Sequence, residues 1–250
     1  MAPNSGNGID ATYEVTQQNP TEAVARAQDD GKHHLLLAAS GSVATIKIVP
    51  IIKALSSRKN ISIRLILTPS ASKFLDGQSA EQPSLADIAR FPNVHGIYND
   101  SSEWSPAWTR GAPILHIELR KWAHLMVIAP LSANTLAKVT TGLCDSLLTS
   151  VWRAWDTAGN IDNANAPGRR KQIICCPAMN VCMWRHPITQ KQIKTLEQDW
   201  GLENDGWVEV LRPIEKTLAC GDVGEGAMVS FEQIVAAIDD RLGLECTTSD

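Results

Sequence analysis

HLLLAASGSVATIKIVPIIKALSS, residues His34–Ser57, reads as one complete β-α unit. His34–Ser40 is a continuous apolar run, the pattern of a strand buried on both faces. Val43–Ser57 carries apolar residues at helical spacing, and Gly41-Ser42 sits at the turn between the two. The same alternation continues outward. Ile61–Thr68 is the next strand, followed by a short helix near Ala71–Leu75. Leu125–Pro130 is a further buried strand, with Ala133–Thr141 and Asp145–Trp155 as helices. Gln172–Pro177 and Trp207–Leu211 read as strands, and His186–Trp200 and Phe231–Leu242 as helices. Repeated β-α units of this kind predict an α/β fold: a three-layer, doubly wound parallel sheet with helices on both faces, in a single domain. Ligands of such sheets sit at the carboxyl ends of the strands.

Composition narrows the function classes. The 250 residues are 44% hydrophobic and 20% charged, ordinary for a globular protein. A net charge of −4 without blocks of like charge argues against a nucleic-acid partner. No apolar run approaches the ~20 residues that span a bilayer, and the polar start lacks a signal-peptide core, so no membrane partner is expected. Cys144, Cys175, Cys176, Cys182, Cys220 and Cys246 form no CxxC pair. Neither a disulfide framework nor a metal site is expected, and the chain reads as a reduced, cytoplasmic protein. Residues 1–31 are polar and small, the composition of a disordered or loosely attached leader to a domain at 32–243, with 244–250 as a tail. Glu103–Gly111 reads as a loop with two tryptophans, and Thr157–Arg170 as an exposed polar insert.

The strand ends collect small and polar residues: Gly41, Ser42 and Val43; Thr68 and Ser70; Ser132, Ala133, Asn134 and Thr135; then Ala178, Met179 and Asn180. Small residues where a strand turns into a helix let backbone N–H groups and the helix dipole approach a phosphate. There is neither GxGxxG nor a Walker loop, so the pattern suits a mononucleotide with a polar heterocycle. Each hydroxyl on its own is equally explained as a helix cap. His116, at the start of a helix bearing Glu118, Arg120 and Lys121, is a candidate acid or base near neutral pH, or else a surface histidine. Leu218–Met228 (LACGDVGEGAM) holds Cys220 among Gly221, Gly224 and Gly226, too glycine-rich for a stable helix or strand, and suggests a reactive thiol on a mobile closure loop.

These residues carry a resemblance. SGSVA (Ser40–Ala44), LHIELRKWA (Leu115–Ala123), APLSANTLAK (Ala129–Lys138), GLCDSLLTSVWRAWD (Gly142–Asp156), PAMNVCMW (Pro177–Trp184) and LACGDVGEGAM occur in the order found in the homo-oligomeric flavin-containing cysteine decarboxylases. The chain resembles, within them, the fungal-type branch that acts on 4′-phosphopantothenoylcysteine in coenzyme A biosynthesis. The match runs from about His34 to Leu242.

The resemblance implies a flavodoxin/Rossmann-like fold, a homotrimer, and FMN at Gly41, Ser42, Val43, Thr68, Ser70, Ser132, Ala133, Asn134, Thr135 and Ala178. It implies that Asn180 holds the substrate carboxylate, that Met179 lies beside it, and that Thr217, Leu218, Ala219 and Cys220 form the closure loop. The family often has a basic residue where this chain has Thr217, with Lys216 adjacent.

The implied chemistry explains the residue types. A carboxylate leaves readily only if the resulting carbanion is delocalised, and the cysteinyl group has no electron sink. Oxidising its thiol-bearing carbon to a thioaldehyde with FMN provides one. By resemblance, His116 then acts as base or carboxylate orienter, and Cys220 donates the proton that completes re-reduction. A thiol of pKa ~8.5 is mostly protonated near neutrality. Two alternatives stand beside this reading. One is a regulatory subunit of a type 1 protein phosphatase, as some fungal relatives are. The other is a different flavoenzyme, a peptidyl-cysteine decarboxylase or a flavin prenyltransferase. A peptidyl-cysteine decarboxylase stops at the enethiol and does not need Cys220.

Overall fold

The apolar runs become the strands of one sheet. The computed structural model describes residues 19–58, 60–162, 170–217 and 223–244. In it β1 (His33–Ala39), β2 (Ile61–Leu67), β3 (Val94–Tyr98), β4 (Leu125–Leu131), β5 (Gln172–Pro177) and β6 (Val208–Val210) lie in the order β3-β2-β1-β4-β5-β6. Every pairing is parallel. Parallel neighbours need crossover connections, and these carry helices α1 (Pro20–Arg26), α2 (Ile48–Leu55), α3 (Pro69–Ser72), α4 (Leu85–Ile88), α5 (Leu115–Trp122), α6 (Ala133–Thr141), α7 (Leu147–Arg153), α8 (Val181–Arg185), α9 (Pro187–Lys194) and α10 (Phe231–Leu242) before, between and after the strands.

Alternation along β1 separates the two helical layers. Leu35, Leu37 and Ala39 pack with Ile48, Ile51 and Ile52 of α2 and Ile234 and Ile238 of α10. Leu36 and Ala38 point the other way, into a cluster with Leu119 and Trp122 of α5, Leu136 of α6 and Val151 of α7. Successive side chains of a strand face opposite sides of its sheet, which is why an unbroken apolar run signals a two-sided core. Each fully buried Leu or Ile stabilises by roughly 1.5–3 kcal/mol, so β1, β2 and β4 hold the molecule together. Among the described residues no helix is long and apolar enough to cross a membrane.

Some elements differ from the sequence reading. β3, at one edge of the sheet, was not expected. Its VHGIY breaks the apolar run because Gly96 leaves room for the ring of Tyr98, with which a Cβ would collide. Helix α2 is preceded by a 3₁₀ turn, Val43–Lys47, rather than starting at Val43. Within the stretch read as a leader, Asn19 caps α1 by accepting from the N–H groups of Thr21 and Glu22, and Val24 is fully buried against the α5 layer. The first part of the 157–170 insert is organised rather than merely exposed. The Asp156 carboxylate accepts four backbone N–H groups, from Gly159 to Asp162. That turn delivers the buried Asp162 carboxylate to Arg120 (2.6 Å) and Lys171 (3.0 Å). Residues 163–169 and 245–250 lie outside the described residues.

The largest correction concerns the glycine-rich segment. Val223–Ala227 is a strand, β8, paired antiparallel with β7 (Ile214–Thr217). Glycine is unfavourable in a strand on its own, but it is required where another backbone comes close. Gly226, at φ +135°, accepts a hydrogen bond from Met179 N (3.0 Å), and a Cβ there would collide with the Met179 carbonyl. The glycines lay this hairpin on the chain leaving β5.

Candidate active site

The strand order reverses between β1 and β4, and their carboxyl ends define the switch point where open α/β sheets bind ligands. A fully buried serine joins the two ends. Ser40 Oγ accepts from Ser132 N (2.8 Å) and donates to the Pro130 carbonyl (3.0 Å).

Four chain turns then leave the sheet edge, each with a polar cap. Ser42 accepts from Ala44 N, Thr68 from Ala71 N, Ser132 from Thr135 N and Asn180 from Met183 N. The capping explanation of these residues is therefore correct, and it does not exclude a second role. A hydroxyl that accepts one N–H keeps its own O–H to donate. Capping also fixes which end of the Asn180 amide is free. Oδ1 receives the Met183 N–H at 2.8 Å, and the NH₂ group has no partner among the described residues. The side chains of Ser70 and Asn134 likewise make no hydrogen bond to another described residue, so they are open to a ligand.

All of these residues line one cavity of about 570 Å³, with Gly41, Val43, Ala133, Thr135, Ala178 and Met179. That lies within the roughly 300–1,000 Å³ usual for small-molecule sites. Close approach of the first two loops depends on Gly41, where a Cβ would lie 2.5 Å from Ser70 Cβ. Residues that the sequence reading did not assign to a site also line it: Pro69, Phe74, Asp100, Lys138, Asp145, Ser146 and Met183. Lys138 stands one helical turn beyond Asn134 and Thr135, a spacing that puts it on their face of α6, so its signal was present. A second space of about 550 Å³ shares Ser42, Val43, Ala178, Met179 and Asn180 and extends over Lys47, Ile214 and residues 226–232. Asn180 thus borders both spaces. The residues fit a flavin mononucleotide: the hydroxyls of Ser42, Thr68, Ser70 and Ser132 for a phosphate, and a mixed apolar and amide wall for a heterocycle.

The other expected site residues are placed differently. Thr217 ends β7, while Leu218, Ala219 and Cys220 lie outside the described residues, in the connection of the β7–β8 hairpin. His116 lies in the first turn of α5, not before it, and is absent from the lining of both cavities. Its Nδ1 meets Glu103 Oε1 at 2.6 Å. Glu103 sits in a one-turn 3₁₀ helix, Asp100–Trp104, which no motif announced. Trp104, Trp108 and Ile114, close by in sequence, are exposed. Cys175 and Cys176 are fully buried in β5, and burial pushes both thiols far up, which leaves them inert.

A family model described as "Flavoprotein" matches residues 23–243. The chain belongs to the flavoprotein family. Mouse phosphopantothenoylcysteine decarboxylase is 36% identical over 210 residues, which cover 84% of this chain and 87% of that protein. A probable thymidylate synthase of Schizosaccharomyces pombe is 41% identical over 220 residues, 88% of this chain. The decarboxylase subunit SIS2 of Saccharomyces cerevisiae is 36% identical over 248 residues, 86% of this chain. This flavoprotein spans only 31% and 41% of the length of those two yeast relatives. Among solved structures, a cysteine-to-serine variant of a PPC decarboxylase complexed with pantothenoylaminoethenethiol has TM-score 0.65 at 38% identity. It covers 83% of this chain and 96% of its own. The FMN-binding protein AtHal3 has TM-score 0.62, also at 38% identity, covering 83% and 95%.

Proposed function

We propose that this flavoprotein decarboxylates 4′-phosphopantothenoylcysteine to 4′-phosphopantetheine, with FMN as cofactor, in coenzyme A biosynthesis. The observation that carries this is Asn180. Its amide is oriented by its own helix cap and offers two N–H donors on a residue that borders both the nucleotide-type cavity and the second space. A carboxylate oxygen accepts an amide N–H of that kind, so in this reading the leaving carboxylate is held beside the flavin. Relatives named as this decarboxylase match over most of their own length, which supports the same reading.

Gly41, Ser42, Val43, Thr68, Ser70, Ser132, Ala133, Asn134, Thr135 and Ala178 would hold FMN. Bound there, it supplies a two-electron acceptor for the thiol-bearing carbon and later returns the pair. The remaining work belongs to the chain. Asn180 orients the carboxylate. His116 acts as base or carboxylate orienter while that carbon is oxidised. CO₂ then leaves with its bonding pair delocalised into the thiocarbonyl. Cys220 gives the proton that completes reduction of the enethiolate, with Thr217, Leu218 and Ala219 closing around the substrate and Met179 beside it. A relative's cysteine-to-serine variant holding an aminoethenethiol supports a thiol in that last step.

The assembly is a homotrimer in this reading. His116 lines neither cavity of its own chain, and Trp104, Trp108 and Ile114, close to it in sequence, are exposed, so in this reading a neighbouring copy would bring its histidine to the shared site. Light scattering that gives three times the 27.2 kDa chain mass supports this, and a monomer overturns it. The phosphatase-regulating alternative draws only on the resemblance.

Turnover tests the function. The purified protein is expected to be yellow with flavin and to release CO₂ from the substrate. A colourless protein without activity overturns the proposal.

A further inference from the structure

We infer that Glu103 is a positioning residue for His116, fixing its tautomer and its ring orientation for the decarboxylation; this rests on the role proposed for His116. The Glu103 side chain is only 6% exposed, while the imidazole is 26% exposed. Burial of a carboxylate is costly unless it is paired. Here its Oε1 meets His116 Nδ1 at 2.6 Å, and its Oε2 is buried without any partner. Among the described residues, His116 is the only hydrogen-bond partner of this carboxylate.

Glu103 links its turn to α5 through His116, but the geometry of the turn itself does not depend on it. The 3₁₀ turn is held by Asn99, whose side chain accepts from Ser102 N while Ser102 Oγ accepts from Asn99 N. Asp100 ties the same turn to α7 by accepting from Leu147 N at 2.8 Å. Those contacts remain without Glu103. The carboxylate therefore does one thing in this structure, which is to receive the His116 ring.

The consequence is chemical. An ionised carboxylate only accepts, so the proton of the neutral imidazole is on Nδ1. Nε2, with no partner among the described residues, is left with the free lone pair. It is the atom that takes a proton or meets the substrate. Carboxylate–imidazole pairs elsewhere act by setting tautomer and orientation, without becoming protonated themselves.

The test uses the full, FMN-loaded chain. In Glu103→Ala, kcat falls on the order of 10- to 100-fold with KM within about threefold, as when other carboxylate partners of functional histidines are lost. Histidine-selective ¹⁵N NMR reads the tautomer independently of activity: His116 carries its proton on Nδ1 in the wild type and shifts towards Nε2 in the variant. If Glu103→Ala misfolds, Glu103→Met keeps the approximate volume and removes the acceptor, and the same two readouts apply. An unchanged tautomer or an unchanged kcat overturns the inference. His116→Asn separates the two ideas. Loss of turnover there with normal turnover in Glu103→Ala sinks only the positioning role. Normal turnover in His116→Asn sinks the histidine's own role, and the tautomer measurement still decides whether Glu103 positions the ring.

Discussion

Asn180 shows how one side chain serves two levels of the structure. Its Oδ1 caps α8, and its NH₂ faces the cavities. Asn180→Asp separates those duties. An aspartate caps a helix as well as asparagine and complements the dipole, so the melting temperature holds or rises slightly. The substrate carboxylate loses both donors and meets a like charge, so kcat/KM falls on the order of 100-fold or more, as for sites built to hydrogen-bond a substrate group. Thermal unfolding and steady-state kinetics on one sample check this; near-normal kcat/KM would contradict it. Asn180 was legible in the sequence because it stands three residues past the apolar run of β5. Glu103 was not. It lies 13 positions before His116 in a turn without periodicity, and only folding brings the two together.

At the scale of elements, the β7–β8 hairpin carries the argument. A run rich in glycine reads as a loop when taken alone. Its strand character depends on a neighbour, the Met179–Asn180 backbone, that sequence does not place beside it. Gly226→Ala introduces a Cβ where Met179 O stands and forbids the φ of +135°. Strain of this kind costs roughly 1–3 kcal/mol, and the chain relieves it by lifting β8 off the site. Turnover is expected to fall at least tenfold while FMN stays bound, because Gly226 borders the second chamber and not the nucleotide cavity. Activity together with flavin absorbance checks this, and wild-type turnover would contradict it. β1, β2 and β4 were legible because both of their faces are buried. β3 was hidden because Gly96 makes way for Tyr98.

For the whole molecule, the doubly wound order β3-β2-β1-β4-β5-β6 turns separate short motifs into one site. The sequence supplied the strand ends and the polar residues on them. It could not tell a cap from a ligand contact, since Ser42, Thr68 and Ser132 are caps and cavity residues at once. Nor could it set His116 apart from the cavity of its own chain, because that separation depends on how α5 packs. In the proposed reaction carbon oxidation precedes CO₂ loss and a thiol completes the reduction. The products formed by the wild type and by Cys220→Ser from 4′-phosphopantothenoylcysteine test that order. The wild type is expected to give 4′-phosphopantetheine, and the variant to release CO₂ yet stall at the unsaturated enethiol. Formation of 4′-phosphopantetheine by Cys220→Ser at the wild-type rate would contradict it.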